Sequence, residues 1–155
     1  MDTIHVPPGG GRSYSMTDGD HVAKVAIHDE AGAFEVFEVR APHAPMTPPH
    51  VSPWTGVLFL LEGRVTAQVG GERHEVEPGG LVVLPAGVPN TFAVIGEVAR
   101  FVAITSGDGA GRFFADYADS VPRDQGVGDS REKILAVTRR HGVALVEPDP
   151  DRTSL

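Results

Sequence analysis

Histidine and carboxylate side chains carry the acid–base and metal-binding chemistry open to this chain, because it contains seven histidines and no cysteine. Without cysteine there is no disulfide, no thiolate metal ligand and no cysteine nucleophile. His50 follows two prolines, and a loop between His43 and His50 could bring both imidazoles to the same end of the fold. An imidazole can transfer a proton, bind a substrate or simply pack in a core. All three interpretations of His50 stay open.

Glu38 is a second candidate for acid–base chemistry. It lies in the segment 34–40, where successive residues point to opposite faces if the chain is extended. The pattern does not decide which face looks inward. If the face with Glu38 does, Glu38 is a candidate catalytic residue and Arg40 a candidate substrate-binding residue; otherwise Glu38 is a solvated carboxylate. One face carries Phe34, Val36, Glu38 and Arg40, and the other carries Glu35, Phe37 and Val39.

The charge and the missing motifs exclude several classes of partner. The formal net charge is -8, from 13 basic and 21 acidic residues, and such a field repels nucleic acid. The chain has no Gly-x-Ser-x-Gly motif, Walker loop or dinucleotide fingerprint. No segment is apolar for long enough to cross a membrane, and residues 1–13 do not resemble a secretory signal. We therefore expect a cytoplasmic protein with no nucleic-acid or membrane partner.

Short strands joined by turns are the expected elements of the first two thirds of the chain. Glycine (19 residues) and proline (13 residues) are abundant, and they separate short extended segments. Gly70-Gly71 predicts a tight hairpin, because glycine supplies the positive φ that such a turn needs. Regular spacing of this kind is typical of a sandwich or barrel. The predicted strands are Val22–His28, Phe34–Arg40, Val57–Leu61, Val65–Val69, Glu72–Val76, Leu81–Leu84, Thr91–Ile95 and Arg100–Thr105.

Two short helices are predicted to close the chain, at about 110–120 and 130–142, because apolar residues there recur at helical spacing. Ser130 is the expected N-cap of the second helix, and Gly142 is expected to end it.

The length of 155 residues suits a single domain, 1–155, with a barrel at about 21–105. The segment 119–129 is the expected linker between the helices. Pro148–Leu155 is the expected frayed tail.

Two groups of residues resemble the two sequence motifs of the cupin superfamily. The first runs from Pro48-Pro49-His50 to Leu60-Leu61-Glu62-Gly63, and the second comprises Gly79, Pro85-Ala86-Gly87 and Asn90. They most resemble single-domain members of the quercetin dioxygenase-like type. The resemblance implies an all-β fold, a cupin jelly-roll β-barrel with a pocket inside, here with two short C-terminal helices. It also implies a homodimer as the expected assembly.

The resemblance further implies where a metal would be bound. Cupins of the usual kind bind Fe, Mn, Ni, Cu or Zn through His-x-His and a Glu in the first motif and a further His in the second. In this chain only His50 is retained, and the other positions fall on Ser52, Gly56 and Asn90. Serine and asparagine are weak neutral oxygen donors and glycine has no side chain. We therefore expect no cofactor, the alternative being a divalent transition metal held by altered ligands.

The remaining candidates are expected around the same pocket. Ser52 and Asn90 would face it with His50, either as catalytic hydrogen-bonding groups or as polar filling. Trp54 would form a wall or lid, or belong to the core. Alternation with Gly56 and Asn90 would place four apolar residues on the walls, as substrate-binding residues or as core packing: Leu58, Leu60, Phe92 and Val94.

Three functions are consistent with these residues, each with a small molecule as partner. The first is a metal-independent cyclase or isomerase of secondary metabolism that folds a hydrophobic, polyketide-like substrate in the barrel. The second is a metal-dependent, quercetinase-like dioxygenase that still uses His50. The third is a non-catalytic ligand-binding module, because no catalytic constellation in the sequence is complete.

Overall fold

The computed structural model describes residues 1–124 and 128–146. The predicted tail, Pro148–Leu155, and the middle of the predicted linker lie outside these residues. The described residues form nine β-strands and two α-helices: β1 (Arg12–Met16), β2 (Gly19–Asp29), β3 (Gly32–Ala44), β4 (His50–Val51), β5 (Gly56–Val69), β6 (Glu72–Val76), β7 (Leu81–Leu84), β8 (Asn90–Ser106), α1 (Gly109–Ser120), α2 (Arg131–Arg140) and β9 (Ala144–Leu145). No helix among them is long and apolar enough to span a membrane.

Two long strands, β5 and β8, bend in the middle and therefore belong to two layers of the barrel. The pairing of β5 with β8 shifts register between Leu60 and Arg64, and Gly63 and Gly96 adopt φ values of 83° and 80° at the bends. A side chain at Gly63 would collide with the carbonyl oxygen of Val98. The bend in β5 therefore requires glycine.

The two layers are antiparallel and meet at these bends. The front layer consists of β1, β2, β3, residues 98–106 of β8, residues 56–62 of β5, and β7. The back layer consists of β6, residues 64–69 of β5, residues 90–95 of β8, β4 and β9. At the end away from the bends, the short loops 52–55 and 85–89 connect the layers. We call this end the mouth.

Apolar side chains fill the space between the layers. Phe37, Val39, Leu60, Val94 and Phe101 are members of one buried cluster that both layers share. A second cluster packs the helices against β1, and its buried members are Met16, Tyr117, Val121 and Val137. The predicted all-β barrel with two short C-terminal helices is confirmed.

The predicted strands lie within the observed ones, but two of the observed strands each join two predicted ones. β5 contains both Val57–Leu61 and Val65–Val69, and β8 contains both Thr91–Ile95 and Arg100–Thr105. In a sequence, a glycine inside a bent strand looks the same as a glycine that ends a strand. The hairpin at Gly70-Gly71 is confirmed by the pairing of β5 with β6.

Both helices are confirmed, and Ser130 occupies the N-cap position of the second, but its side chain makes no capping hydrogen bond. Ser130 precedes α2 with φ -99° and ψ 1°, outside the extended conformation that side-chain capping uses. Its hydroxyl is buried and has no hydrogen-bond partner among the described residues. Gly142 ends the helix as predicted, with φ 70°, and the N–H of Val143 donates to the carbonyl of Thr138.

Candidate functional site

His50 and Asn90 lie directly opposite each other in the back layer, where β4 pairs with β8. Opposed residues of an antiparallel pair have Cα atoms about 5 Å apart and side chains on the same face. Leu145 of β9 pairs with His50 from the other side, so β4 is held between two strands. The structure thus brings together two positions that the sequence motifs marked.

Ser52 and Gly56 lie at the same end of the barrel. The carbonyl oxygen of Ser52 accepts a hydrogen bond of 3.0 Å from the N–H of Gly87, and Gly56 pairs with Leu84 where β7 ends. Five residues of chain span at most about 17 Å, so the loops 52–55 and 85–89 keep Gly56 close to the His50 strand. We call His50, Ser52, Gly56 and Asn90 the mouth residues.

Removal from water makes His50 a neutral imidazole. Desolvation lowers its pKa below the ordinary value of 6.5, because the charged ring loses its hydration. The carboxylate of Asp18, in the turn between β1 and β2, opposes this shift without cancelling it. At pH 7 one ring nitrogen of His50 can therefore accept a proton and the other can donate one.

The polar groups beside His50 have hydrogen-bonding capacity to spare. Asn90 is buried, and its Nδ2 donates only a long hydrogen bond of 3.4 Å to the carbonyl oxygen of Val88. Ser52 is buried as well. Neutral donors in a site with little water stabilise negative charge that develops on a carbonyl oxygen.

The four predicted apolar residues all pack on the interior side of the layers. Leu60 and Val94 are buried, and Leu58 and Phe92 are partly buried against the same cluster. The ring of Phe92 meets that of Phe101 edge-on, with 5.9 Å between centroids. Leu58 and Leu60 line a cavity of about 10 Å³, which is room for about one water molecule. Beside these two leucines the interior is therefore tightly packed.

Trp54 stands between the mouth and α1. Its six-membered ring faces Gly109 closely enough that a β-carbon there would lie 3.4 Å from Cε3. On the same helix, the ring of Phe113 is 5.8 Å from that of Trp54. Trp54 therefore forms a wall between the barrel and α1. Because it also packs against the buried cluster, the two sequence interpretations, pocket wall and core residue, both apply to it.

Glu38 and Arg40 lie on the outer face of the front layer, which corrects their assignment to the pocket. Glu38 forms ion pairs with Lys24 at 3.7 Å and with Arg100 at 3.4 Å, and Arg40 is exposed. Between them in the sequence, Val39 is buried. Strand alternation directs Glu38 and Arg40 towards solvent, so we remove both from the site.

His43 does not approach His50. Its Nδ1 is 2.8 Å from the carbonyl oxygen of Gly96, at the bend of β8. The segment between the two histidines runs back along β8, with the hydroxyl of Thr91 donating to the carbonyl of Thr47 at 2.8 Å. The two imidazoles therefore lie towards opposite ends of the barrel.

Two polar residues that the motifs do not mark also reach the mouth. Glu35 and Thr105 are buried and lie in one cross-strand row with Gly56. The sequence held a signal for Glu35, because it occupies the face of the segment 34–40 opposite to Glu38. It held no signal for Thr105, whose position depends on the register between distant strands.

A further concave surface lies away from the mouth. An open groove of about 780 Å³ runs along β6 and β7, and acidic and apolar residues line it, among them Glu72, Glu75, Glu77, Val76 and Leu81. None of the predicted site residues lines this groove.

The mouth residues do not fit a divalent transition metal. They offer one imidazole, one hydroxyl and one carboxamide, and no carboxylate to offset the charge of the ion. Among residues 1–124 and 128–146, no three histidine, aspartate or glutamate side chains are grouped so that they could hold a metal ion.

Comparison with known proteins identifies the fold. Residues 36–105 match the family model described as "Cupin domain", and no curated protein matches the chain. Among solved structures, KdgF from Halomonas sp. aligns with a TM-score of 0.59 and 11% identity, covering 70% of this chain and 96% of that one. The polyketide cyclase RemF from Streptomyces resistomycificus aligns with a TM-score of 0.54 and 23% identity, covering 70% and 80%.

A third structure, an RmlC-like cupin from Shewanella frigidimarina, aligns with a TM-score of 0.56 and 14% identity, covering 68% of this chain and 93% of that one. Identities this low establish the fold and not the activity. The chain has the cupin jelly-roll fold, and these matches support the cupin superfamily that its motifs resemble.

Proposed function

We propose that this chain, which has the cupin fold, is a metal-independent cyclase or isomerase for a small hydrophobic, polyketide-like substrate. The observation that carries the proposal is a neutral imidazole, His50, placed directly opposite the carboxamide of Asn90 at the mouth. The structural likeness to RemF, a polyketide cyclase, supports the substrate class.

An intramolecular aldol cyclisation illustrates what these groups can do. Neutral His50 removes a proton from a carbon between two carbonyl groups, and the electron pair of that C–H bond forms a C–C bond to another carbonyl carbon of the same molecule. The oxygen of the attacked carbonyl becomes negatively charged, and Nδ2 of Asn90 and the hydroxyl of Ser52 stabilise it. The imidazolium then returns the proton to this oxygen. The step is an isomerisation, so it consumes no oxidant or reductant.

The apolar side chains around the mouth supply the other part of the catalysis. A flexible polyketone reacts slowly because few of its conformations bring the reacting carbons together, and a shaped apolar surface selects those conformations. The cavity beside Leu58 and Leu60 is only about 10 Å³. The reacting part of the substrate therefore lies at the mouth, against Trp54, and not deep in the barrel.

The proposal assigns no cofactor. A quercetinase-like dioxygenase, the main alternative, would require a metal that the donor set of the mouth residues does not fit. A non-catalytic binding module would use the same hydrogen-bonding groups without turnover. In all three cases the partner is a small molecule.

The test is turnover of a linear aryl poly-β-ketone, followed by mass spectrometry of the cyclised product. We expect His50→Gln to lower kcat by about 10²- to 10⁴-fold, because it removes the base. We expect Asn90→Ala to lower it by about 10- to 100-fold, because it removes one donor to the developing oxyanion. The matched control is His74→Gln on β6, whose imidazole is exposed and lies away from the mouth; it should leave kcat unchanged.

Metal analysis and chelation separate the alternatives. Stoichiometric Fe, Mn, Ni or Cu in protein purified without added metal, together with loss of turnover on chelation, would contradict the proposal and support the dioxygenase. Saturable binding of the polyketone without any product would contradict it in favour of the binding module.

We also propose that a second copy of this chain covers the outer face of the front layer. Five apolar side chains of this face, from four neighbouring strands, are 38–56% exposed: Phe34, Phe59, Leu81, Val83 and Ile104. Together they expose on the order of 400 Å² of apolar surface. That is about half of what each subunit contributes to a standard interface.

The charged border of this face also suits a second copy. Lys24, Glu38, Arg100 and Glu62 form a chain of ion pairs in which the sign of the charge alternates. A two-fold axis brings the same patch of both subunits together in opposite directions. Each positive side chain of the row can then face a negative side chain of the other copy. The border can therefore supply the polar rim around the apolar centre of a homodimer.

A further inference from the structure

Glu35 is a buried carboxylate without a cationic partner among the described residues. It lies on the inner face of β3 and is 8% exposed. Its Oε1 accepts a hydrogen bond of 3.1 Å from the N–H of Gly111, in the first turn of α1. Gly111 permits this approach, since a β-carbon there would collide with Oε2 of Glu35. One carboxylate oxygen is thus held by the helix, whose positive end also offsets the charge.

Thr105 holds a buried hydroxyl that is left without a partner. The residue is 4% exposed, and its Oγ1 makes no hydrogen bond to any of the described residues. Thr105 pairs with Glu35 on one side and with Gly56 on the other, so its side chain shares the inner face with Glu35. A buried hydroxyl without a partner loses its hydration with no compensation, and native structures contain few of them.

Gly56 leaves room beside these two groups. A β-carbon on Gly56 would meet only the side chain of Leu84, at 3.9 and 4.0 Å, with no other atom within 4 Å. The row Glu35, Thr105 and Gly56 therefore combines a carboxylate oxygen, a hydroxyl and, because Gly56 has no side chain, room for at least one further heavy atom at the mouth of the barrel.

We propose that Glu35 and Thr105 bind a hydroxyl group of the substrate in the space beside Gly56. The substrate hydroxyl donates its hydrogen to the carboxylate of Glu35 and accepts one from Thr105. We call this arrangement the Glu35–Thr105 subsite. It rests on the proposed function, because it lies at the same mouth, and it adds that the substrate carries a phenolic or alcoholic hydroxyl.

A hydroxyl fits the two groups better than other polar groups do. A carboxylate or phosphate would be repelled by Glu35. A ketone oxygen could accept from Thr105 but has no hydrogen to give to Glu35. An ammonium group could donate to both, but it would leave the hydrogen of the Thr105 hydroxyl without an acceptor. A hydroxyl oxygen, like that of a water molecule, satisfies both groups with one atom.

A purely structural role makes a different prediction. If Glu35 only holds the first turn of α1 and Thr105 is only an unpaired core residue, both contribute to stability alone. Replacement of Thr105 by valine would then raise the melting temperature, because an unpaired hydroxyl becomes a methyl group of the same shape, and would change nothing else. In the subsite, the same replacement raises the melting temperature and weakens ligand binding.

The experiment is an NMR titration of the full chain with phenol, anisole and benzylamine. We expect phenol to bind about tenfold or more tightly than anisole, which cannot donate to Glu35. Glu35→Gln and Thr105→Val should each weaken phenol binding about tenfold or more, whereas Thr105→Ser should restore binding to within about threefold. The binding of anisole should not change in these variants.

Glu38→Gln is the matched control, since Glu38 lies on the same strand but faces outward in ion pairs. It should leave phenol binding unchanged. Equal binding of phenol and anisole, tighter binding of benzylamine than of phenol, or phenol binding unaffected in Glu35→Gln and Thr105→Val would each overturn the subsite. Phenol binding is measured without turnover, so failure of the subsite is distinct from failure of the proposed cyclase activity, which polyketone turnover tests.

Discussion

The inner face of the front layer is not purely apolar, and its outer face is not purely polar. An antiparallel sheet with one wet face normally turns polar residues outward and apolar residues inward. Here the inner face ends in the buried Glu35 and Thr105, whereas the outer face exposes Phe59, Leu81 and Ile104. Each face thus carries groups that cost free energy in an isolated chain. These polar groups inside are the basis for the proposed ligand site, and the apolar groups outside are the basis for the proposed contact with a second copy.

Two phenylalanines on β3 provide the strongest test of the difference between the inner and outer faces. Phe37 faces inward, is 0% exposed and meets the ring of Phe114 edge-on at 5.0 Å. Phe34 faces outward and is 42% exposed. We expect Phe37→Ala to lower the free energy of unfolding by about 3–5 kcal/mol, because it leaves a cavity in the core. Phe34→Ala should cost less than about 1 kcal/mol in the monomer.

Urea unfolding at low protein concentration measures both values without a contribution from the dimer. Similar losses for the two variants would contradict the assignment of the inner and outer faces.

The outer face is tested by placing a charge at its most exposed apolar residue. Leu81 is 56% exposed, and a lysine there would have to be desolvated in the proposed interface. We expect Leu81→Lys to weaken self-association about 100-fold or more, so that light scattering reports a mass near 16.4 kDa instead of twice that value.

The control is Leu145→Lys, a residue 40% exposed on β9, outside the front layer. It should leave the dimer intact. If the wild-type chain stays monomeric at high concentration, the proposal that a second copy covers this face is contradicted.

Much of the fold could be predicted from the sequence, because strands and helices depend on local patterns. Short extended segments separated by turn-forming residues predicted the strands, and Gly70-Gly71 predicted the hairpin. The bends at Gly63 and Gly96 were missed, since a bent strand and a strand end have the same local sequence. The pairing of β4 with β9 was missed too, because two-residue strands have no periodicity to detect.

The candidate site was predictable only in part. The motifs marked His50 and Asn90, which the structure places opposite each other. Alternation showed that Glu35 and Glu38 lie on opposite faces of one strand but could not show which face is inside, because that depends on how the neighbouring layers pack. The approach of Thr105 to Glu35 follows from a register between β3 and β8 that no local pattern encodes.

The smallest expected effect is the pH dependence of stability, which should differ between the desolvated imidazole of His50 and the exposed imidazole of His74. Desolvation lowers the pKa of His50 below 6.5 in the folded chain. Below pH 6.5 the unfolded chain therefore binds more protons than the folded one, and the free energy of unfolding falls as the pH decreases. We expect His50→Gln to make the decline between pH 7 and pH 5 shallower, by at most about 1.4 kcal/mol per pH unit.

The pH window separates this contribution from that of Asp116, whose pKa is lowered well below its ordinary 3.8 by hydrogen bonds from Arg140 and His141. The stabilisation from Asp116 is present above its ordinary pKa and is lost only as the pH falls below that value, outside the window. His74→Gln serves as the exposed control and should leave the decline as it is in the wild type. If His50→Gln also leaves it unchanged, His50 is not desolvated at the mouth. The neutral base on which the proposed cyclisation depends would then lose its physical basis.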